Sequence, residues 1–263
     1  MTIRLENDRI SAPTWDFVKR QREHTKRLPT SLKHLREQVL EANLELVRRG
    51  LVLHTFGNAS GILPEHGLVV IKPSGVPYEK MKPRDLVVSD LDGKIVQGSL
   101  RASSDLPTHL VLYKAFPEIG GIVHTHSEYA TAWAQARREI PCFGTTHADY
   151  FHGPVPVTAQ LTEDEIAGEY EKNTGAAIVR LFAGRGSPSV PGVLVASHGP
   201  FTWGANVNAA VHNAAALEAI ARMALLTLTI NAEASAIGKH LHDCHYFRKH
   251  GKKAYYGQAK TCE

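Results

Sequence analysis

The sequence predicts an α/β fold: a three-layer single domain in which helices flank a central, mostly antiparallel sheet. Three observations carry this. Strand-like apolar runs alternate with helical segments along the chain. One run, Leu86 to Val96, is interrupted by Asp92-Gly93, a dipeptide suited to a tight hairpin turn and so to antiparallel pairing. No repeat, low-complexity tract or Pro/Gly/Ser-rich linker divides the 263 residues, 43% of which are hydrophobic and can fill a sizeable core.

Taken in order, residues 1–31 read as an N-terminal extension, 32–258 as the folded domain and 259–263 as a short tail. A helix is expected from about Leu32 to Arg49, because Leu32, Leu35, Val39, Leu46 and Val47 recur near helical spacing and Gly50 supplies a stop. Gly67 to Ile71 reads as a strand, followed by the Leu86 to Val96 hairpin. At Asp105-Leu-Pro-Thr-His an acidic residue precedes a proline suited to a first helical turn, and Pro117 closes that helix. Gly120-Gly-Ile-Val leads a buried strand into His124 and His126, and Glu128 to Ala136 reads as a helix. Thr162 and Glu165 have capping-box spacing and open a helix through Glu171. Val193 to Ala196 reads as a strand ending in Ser197-His198-Gly199, and an alanine-rich helix runs from about Asn206 to Leu226.

Composition narrows the function. The net charge of +4 is modest and both signs are interspersed, which argues against nucleic acid as a partner. Lys19, Arg20, Arg22, Lys26, Arg27 and Lys33 crowd the N-terminal region, as an anionic contact or as a solvated helix side. No signal peptide or membrane span is read, so a cytoplasmic protein is expected. Cys142, Cys244 and Cys262 are far apart and lack C-x-x-C spacing, which points away from disulfides and thiolate zinc. Any metal must therefore rest on histidine and carboxylate.

His124 and His126 are two apart on a strand and would face the same way. They are either polar residues at a strand end or two ligands of one cation. His198, at the end of Val-Leu-Val-Ala-Ser-His before Gly-Pro, leaves its strand in the same manner. Asp105 offers a carboxylate, although an aspartate there also suits a helix N-cap. Three imidazoles with one oxygen ligand suit Zn2+, with Mn2+ or a similar ion as the alternative, in a catalytic site that polarises a carbonyl or stabilises a developing enolate oxygen. Gly57-Asn58-Ala59-Ser60, Lys72-Pro73-Ser74-Gly75 and Ser103-Ser104 are turns or, with their N–H groups, hydroxyls and lysine, components of a phosphate site. The chain has neither a Walker loop nor G-x-G-x-x-G, so nucleotide binding has no support.

The segments around Asn58 (GNAS), Ile71 to Gly75 (IKPSG), Ser103 to His109 (SSDLPTH), Gly120 to Ser127 (GGIVHTHS), Gly144 to Gly153 (GTTHADYFHG), Pro191 to Gly204 (PGVLVASHGPFTWG) and Arg248 to Gln258 (RKHGKKAYYGQ) together resemble the class II aldolase and adducin family. Within it they are most similar to the L-ribulose-5-phosphate 4-epimerases. The resemblance runs from about Leu35 to Gln258 with the motifs in the expected order.

The resemblance implies a cation held by His124, His126 and His198 with Asp105 in or close to its coordination shell. It implies substrate binding, chiefly through phosphate, by Gly57, Asn58, Ser74, Gly75, Ser103 and Ser104, with Lys72 nearby. Asp149 and Tyr256 match the acid/base residues, and His245 and Glu171 match positions near the cleft, which in the family lies between subunits of a homotetramer. The reaction implied is interconversion of L-ribulose 5-phosphate and D-xylulose 5-phosphate in arabinose-type pentose catabolism, by cleavage and re-formation of the C3–C4 bond. L-fuculose-phosphate aldolases are the nearest rivals, and they carry a longer Glu where this chain has Asp105. A non-catalytic adducin-like scaffold is disfavoured by the intact histidines. A cupin-type oxygenase is disfavoured because Glu128 follows too closely, at a helix start.

Overall fold

The computed structural model describes residues 30–183, 190–250 and 254–255. The order of elements is α1 (Thr30–Arg48), β1 (Asn58–Leu63), β2 (Leu68–Ile71), β3 (Val87–Asp90), β4 (Ile95–Gln97), α2 (Leu106–Ala115), β5 (Gly121–His124), α3 (Glu128–Gln135), α4 (Thr145–Ala148), α5 (Glu163–Ala167), α6 (Tyr170–Phe182), β6 (Gly192–Val195), β7 (Gly199–Gly204), α7 (Val207–Ile230) and α8 (Lys239–His250). The strands form one seven-stranded sheet in the order β4-β3-β2-β1-β5-β7-β6, and every neighbouring pair is antiparallel. This is the expected three-layer α/β arrangement.

The layers follow from the period of two along each strand. Val69, Ile71, Val87 and Ile122 face a core shared with α2, α3, α6 and the second half of α7, whereas Val70, Val88 and Val123 face a second core built with α1 and the first half of α7. The glycines ahead of the histidines let two layers touch. A Cβ on Gly121 would lie 2.3 Å from Val207 Cα, so only glycine allows α7 to start this close to β5.

Helix α7 is long and apolar enough to cross a membrane by length and composition. Within this fold it braces the core instead. Glu218 accepts from the backbone N–H groups of Tyr129 and Ala130, capping α3, while Leu217 and Ile220 are buried.

Several expected elements are altered. Gly57-Asn58-Ala59-Ser60 is more than a turn, since Asn58–Leu63 is a central strand paired with both β2 and β5. The helix expected through Glu171 breaks at Gly168: its capping box is present, α5 stops at Ala167, and α6 starts afresh at Tyr170. Strand β5 ends at His124, which leaves His126 beyond the sheet. Strand β7 and helix α8 have no counterpart in the sequence reading. Residues 1–29, Tyr256 and the final tail lie outside the described residues.

Candidate metal centre and active site

His124 is the last residue of β5, opposite Asn58 on β1 and Phe201 on β7. Its ring stacks on Phe201, with centroids 4.1 Å apart and planes 15° apart, and Nδ1–H donates to the Pro200 carbonyl at 2.9 Å. That bond leaves Nε2 with its lone pair free, 3.1 Å from Nε2 of His126. His198 arrives from the turn between β6 and β7, after Ser197 at φ 60°. Its ring centroid lies 4.7 Å from that of His124 and 5.1 Å from that of His126.

One ligand atom from each histidine falls within 4.8 Å of the other two, a set matching the donor chemistry of a borderline divalent cation. The three residues grade from buried His124 through half-buried His198 to exposed His126, so the cluster opens to solvent on one side. Burial, reinforced by His124 and His126, pushes the imidazole of His198 down to about 4. Burial and His124 lower that of His126 as well. Neutral imidazoles are the form that ligates a metal, so the donor set fits one.

Asp105 stands outside the set of converging ligand atoms. It precedes α2 yet makes no side-chain cap; its own backbone is already helical, at φ −76° and ψ −2°. Instead Oδ2 accepts from Asn58 Nδ2 at 2.6 Å, and Ser103 Oγ lies 3.5 Å away. Burial opposes ionisation of this carboxyl, but His124, His109, the Asn58 amide and His198 together prevail and hold it below the ordinary carboxylate range.

The three small-residue clusters are drawn together. Pro73 pairs with Ala102 in an isolated bridge, Ser103 N–H donates to the Lys72 carbonyl, and Asn58 Nδ2 lies 3.1 Å from Ser103 Oγ. Ser74, Gly75 and Ser104 are exposed around this junction. The Ser74 N–H is already used by the Arg101 carbonyl, which removes one expected phosphate donor and leaves the hydroxyls. Lys72 is buried; Nζ donates to the Thr55 and Pro73 carbonyls, each at 3.3 Å, and sits 4.8 Å from the Tyr78 ring centroid. Burial lowers its ammonium and Asp105 partly restores it. The Gly57 carbonyl accepts from Tyr78 Oη at 2.8 Å, which fixes the approach to β1.

Asp149 follows α4 and is held by α8. Arg248 Nη2 reaches both carboxylate oxygens at 3.0 and 2.9 Å, His245 Nδ1 lies 3.1 Å away and Lys249 Nζ 3.2 Å away. Burial raises this carboxyl, and the bonds from Arg248, His245 and Lys249 more than reverse it. Asp149 and His245 are thus brought together, at a cluster of their own beside α8. Glu171 contributes its backbone, whose carbonyl accepts from Thr108 Oγ1 at 2.5 Å and ties α6 to α2.

Three features escaped the sequence reading. Tyr170 Oη comes within 3.4 Å of His198 Nδ1. Phe56, exposed, has its ring 6.2 Å from that of His126. Behind the cluster, Ser60 Oγ bridges His109 Nδ1 at 2.7 Å and Tyr113 Oη at 2.8 Å, and burial takes His109 down to about 3. Tyr170 and Phe56 adjoin motif residues, Glu171 and Gly57, which was the only local signal they gave.

The described fold is shared with solved structures. An L-fuculose 1-phosphate aldolase is 26% identical over 81% of this chain and 94% of its own, with a TM-score of 0.69. YgbL from Klebsiella pneumoniae, provisionally assigned as an aldolase/epimerase/decarboxylase, is 27% identical over 81% of this chain and 97% of its own, with a TM-score of 0.65. An L-fuculose-1-phosphate aldolase from Thermus thermophilus, 22% identical over 76% of this chain and 97% of its own with a TM-score of 0.61, supports the fold alone. The family model for the class II aldolase and adducin N-terminal domain matches residues 37–225. That span takes in the whole sheet and all three converging histidines, and the chain belongs to the class II aldolase and adducin family.

Proposed function

We propose that the protein is a metal-dependent epimerase interconverting L-ribulose 5-phosphate and D-xylulose 5-phosphate, working as a homotetramer with its active sites between subunits. The observation that carries this reading is the state of Asp105. It is a short carboxylate beside the histidines, its Oδ2 engaged by Asn58 at 2.6 Å, at the position where the sequence resemblance gives the aldolases a longer Glu. Acid/base work then falls to Asp149 and Tyr256, the pair that the sequence resemblance assigns, and this division of labour favours epimerisation over simple aldol cleavage.

A divalent cation bound by His124, His126 and His198, most directly Zn2+, supplies Lewis acidity that polarises a carbonyl and stabilises developing negative charge. The protein's residues do the rest. Asp149 and Tyr256 remove and return the C4 hydroxyl proton from opposite faces. The C3–C4 bond breaks, leaving glycolaldehyde phosphate and a three-carbon fragment that keeps the bonding electrons. Hydroxyls of Ser74, Ser103 and Ser104, the Gly57 and Gly75 backbone and nearby Lys72, with Asn58 orienting Ser103, retain the phosphate while the aldehyde turns, and re-addition through its other face inverts C4.

A second reading, a class II sugar-phosphate aldolase, is favoured by the likeness to L-fuculose 1-phosphate aldolase. Product analysis with L-ribulose 5-phosphate and added Zn2+ separates the two. Xylulose 5-phosphate supports the epimerase, free glycolaldehyde phosphate with dihydroxyacetone supports the aldolase, and a protein that binds no cation and turns over neither would favour an adducin-like scaffold.

A further inference from the structure

An imidazole that ligates a cation through one nitrogen carries a proton on the other, and the partner of that proton fixes tautomer and ring plane. For His124 the partner is the Pro200 carbonyl, and strand β5 and the Phe201 ring support it further. His198 has no strand beneath it. It sits in the turn between β6 and β7, after a residue with left-handed backbone, and is half-buried. Tyr170 Oη, from the first residue of α6, lies 3.4 Å from its Nδ1.

The residue carrying that phenol is held by its own helix, where Thr174 Oγ1 donates to the Tyr170 carbonyl at 2.9 Å, and by the fold around it. Thr108 Oγ1 donates to the Glu171 carbonyl at 2.5 Å. Gly175, further along α6, lets that helix lie against α2 so closely that an added Cβ would be 2.8 Å from Val111 Cβ and 3.1 Å from the Thr108 carbonyl. Helix α2 starts directly after Asp105. One packed helix pair therefore carries the carboxylate beside the cluster at one N-terminus and the tyrosine beside its third imidazole at the other.

We propose that Tyr170 is a positioning residue for the metal centre: its hydroxyl accepts from Nδ1–H of His198, which turns the Nε2 lone pair toward the other two imidazoles and sets cation affinity. This rests on the metal reading of the three histidines. Phenylalanine keeps the shape and packing of this side chain and removes the phenol's polar contacts, to His198 and to the Thr174 side chain on the same helix.

The test is Zn2+ affinity of the full chain, measured by competition with a chromophoric chelator, for wild type, Tyr170→Phe and, as a control, Tyr150→Phe, which removes a phenol–histidine contact to His212. The expected result is a Kd roughly 10- to 100-fold weaker for Tyr170→Phe, an unchanged Kd for Tyr150→Phe, and an unchanged melting temperature for both without metal. Equal affinity in wild type and Tyr170→Phe overturns the inference and leaves the metal reading standing. A wild type that binds no Zn2+ overturns the metal reading itself. If Tyr170→Phe melts early, the tautomer of His198 in Zn2+-loaded wild type, read by nitrogen-15 NMR, decides: a proton on Nδ1 supports the assignment and a proton on Nε2 refutes it.

Discussion

The side-chain amide of Asn58 donates to Oδ2 of Asp105 across 2.6 Å, linking the first residue of β1 to the residue that opens α2. The bond turns a residue with helix-cap chemistry away from its helix and toward the histidines. Asn58 is buried and Asp105 partly so, which makes the charge-assisted bond strong and its loss costly. Asn58→Ala should raise the pKa of Asp105, cost about 1–3 kcal/mol in stability and reduce turnover at least tenfold. Chemical denaturation and the pH dependence of activity check it.

Removing a ligand has a different signature from removing an acid/base group. His124→Ala should lose bound Zn2+ and activity together, and a chelator should abolish wild-type activity that added metal restores. Elemental analysis of purified protein alongside the assay tests both statements.

Asp149→Asn should keep metal near stoichiometric while turnover falls by about two orders of magnitude or more, as for loss of a general acid/base. Tyr256→Phe should behave alike. Undiminished epimerisation in either variant removes that residue from the mechanism. Asp149→Asn should also loosen α8, because Arg248, His245 and Lys249 lose their shared anion, and proteolysis between α7 and α8 should speed up.

His147 predicts a pH dependence. It is buried, its Nε2–H donates to the Gly153 carbonyl at 2.9 Å, and burial takes it down to about 4 against that bond's pull upward. In the unfolded chain it titrates near 6.5, so between about 6.5 and 4 the unfolded state binds more protons. Stability is therefore full above the upper value and falls as pH drops through the window, by on the order of 3 kcal/mol for this group. Urea midpoints of metal-free protein at pH 7 and 4.5 should show the drop, and His147→Gln should lessen it, leaving the part due to the other depressed histidines, His109 and His198.

Gly121→Ala should be among the most damaging small substitutions. The new Cβ meets backbone of Val207, which cannot swing aside like a side chain, so β5 and α7 must separate. We expect a loss of about 3 kcal/mol or more, seen as a lower melting temperature and weaker Zn2+ binding, since His124 ends the same strand.

Much of what short-range chemistry encodes was legible along the chain, although helix α8 was not. Helical spacing placed α1, an alanine-rich run placed α7, Asp92-Gly93 placed the β3–β4 turn, Thr162 and Glu165 announced a capping box that is present, and the ordered motifs carried the family and its three histidines. Folding settled the rest. Gly57-Asn58-Ala59-Ser60 has no strand-forming run of its own and becomes strand because β2 and β5 supply partners on both sides. Asp105 gives up its cap because an amide 47 positions away makes a better bond. Tyr170 meets His198 only because α5 stops at Ala167, α6 restarts at Tyr170, and Gly175 seats the new helix on α2. Local propensity acts over a few residues, whereas these choices turn on packing and hydrogen bonds between segments that only the folded chain brings within reach.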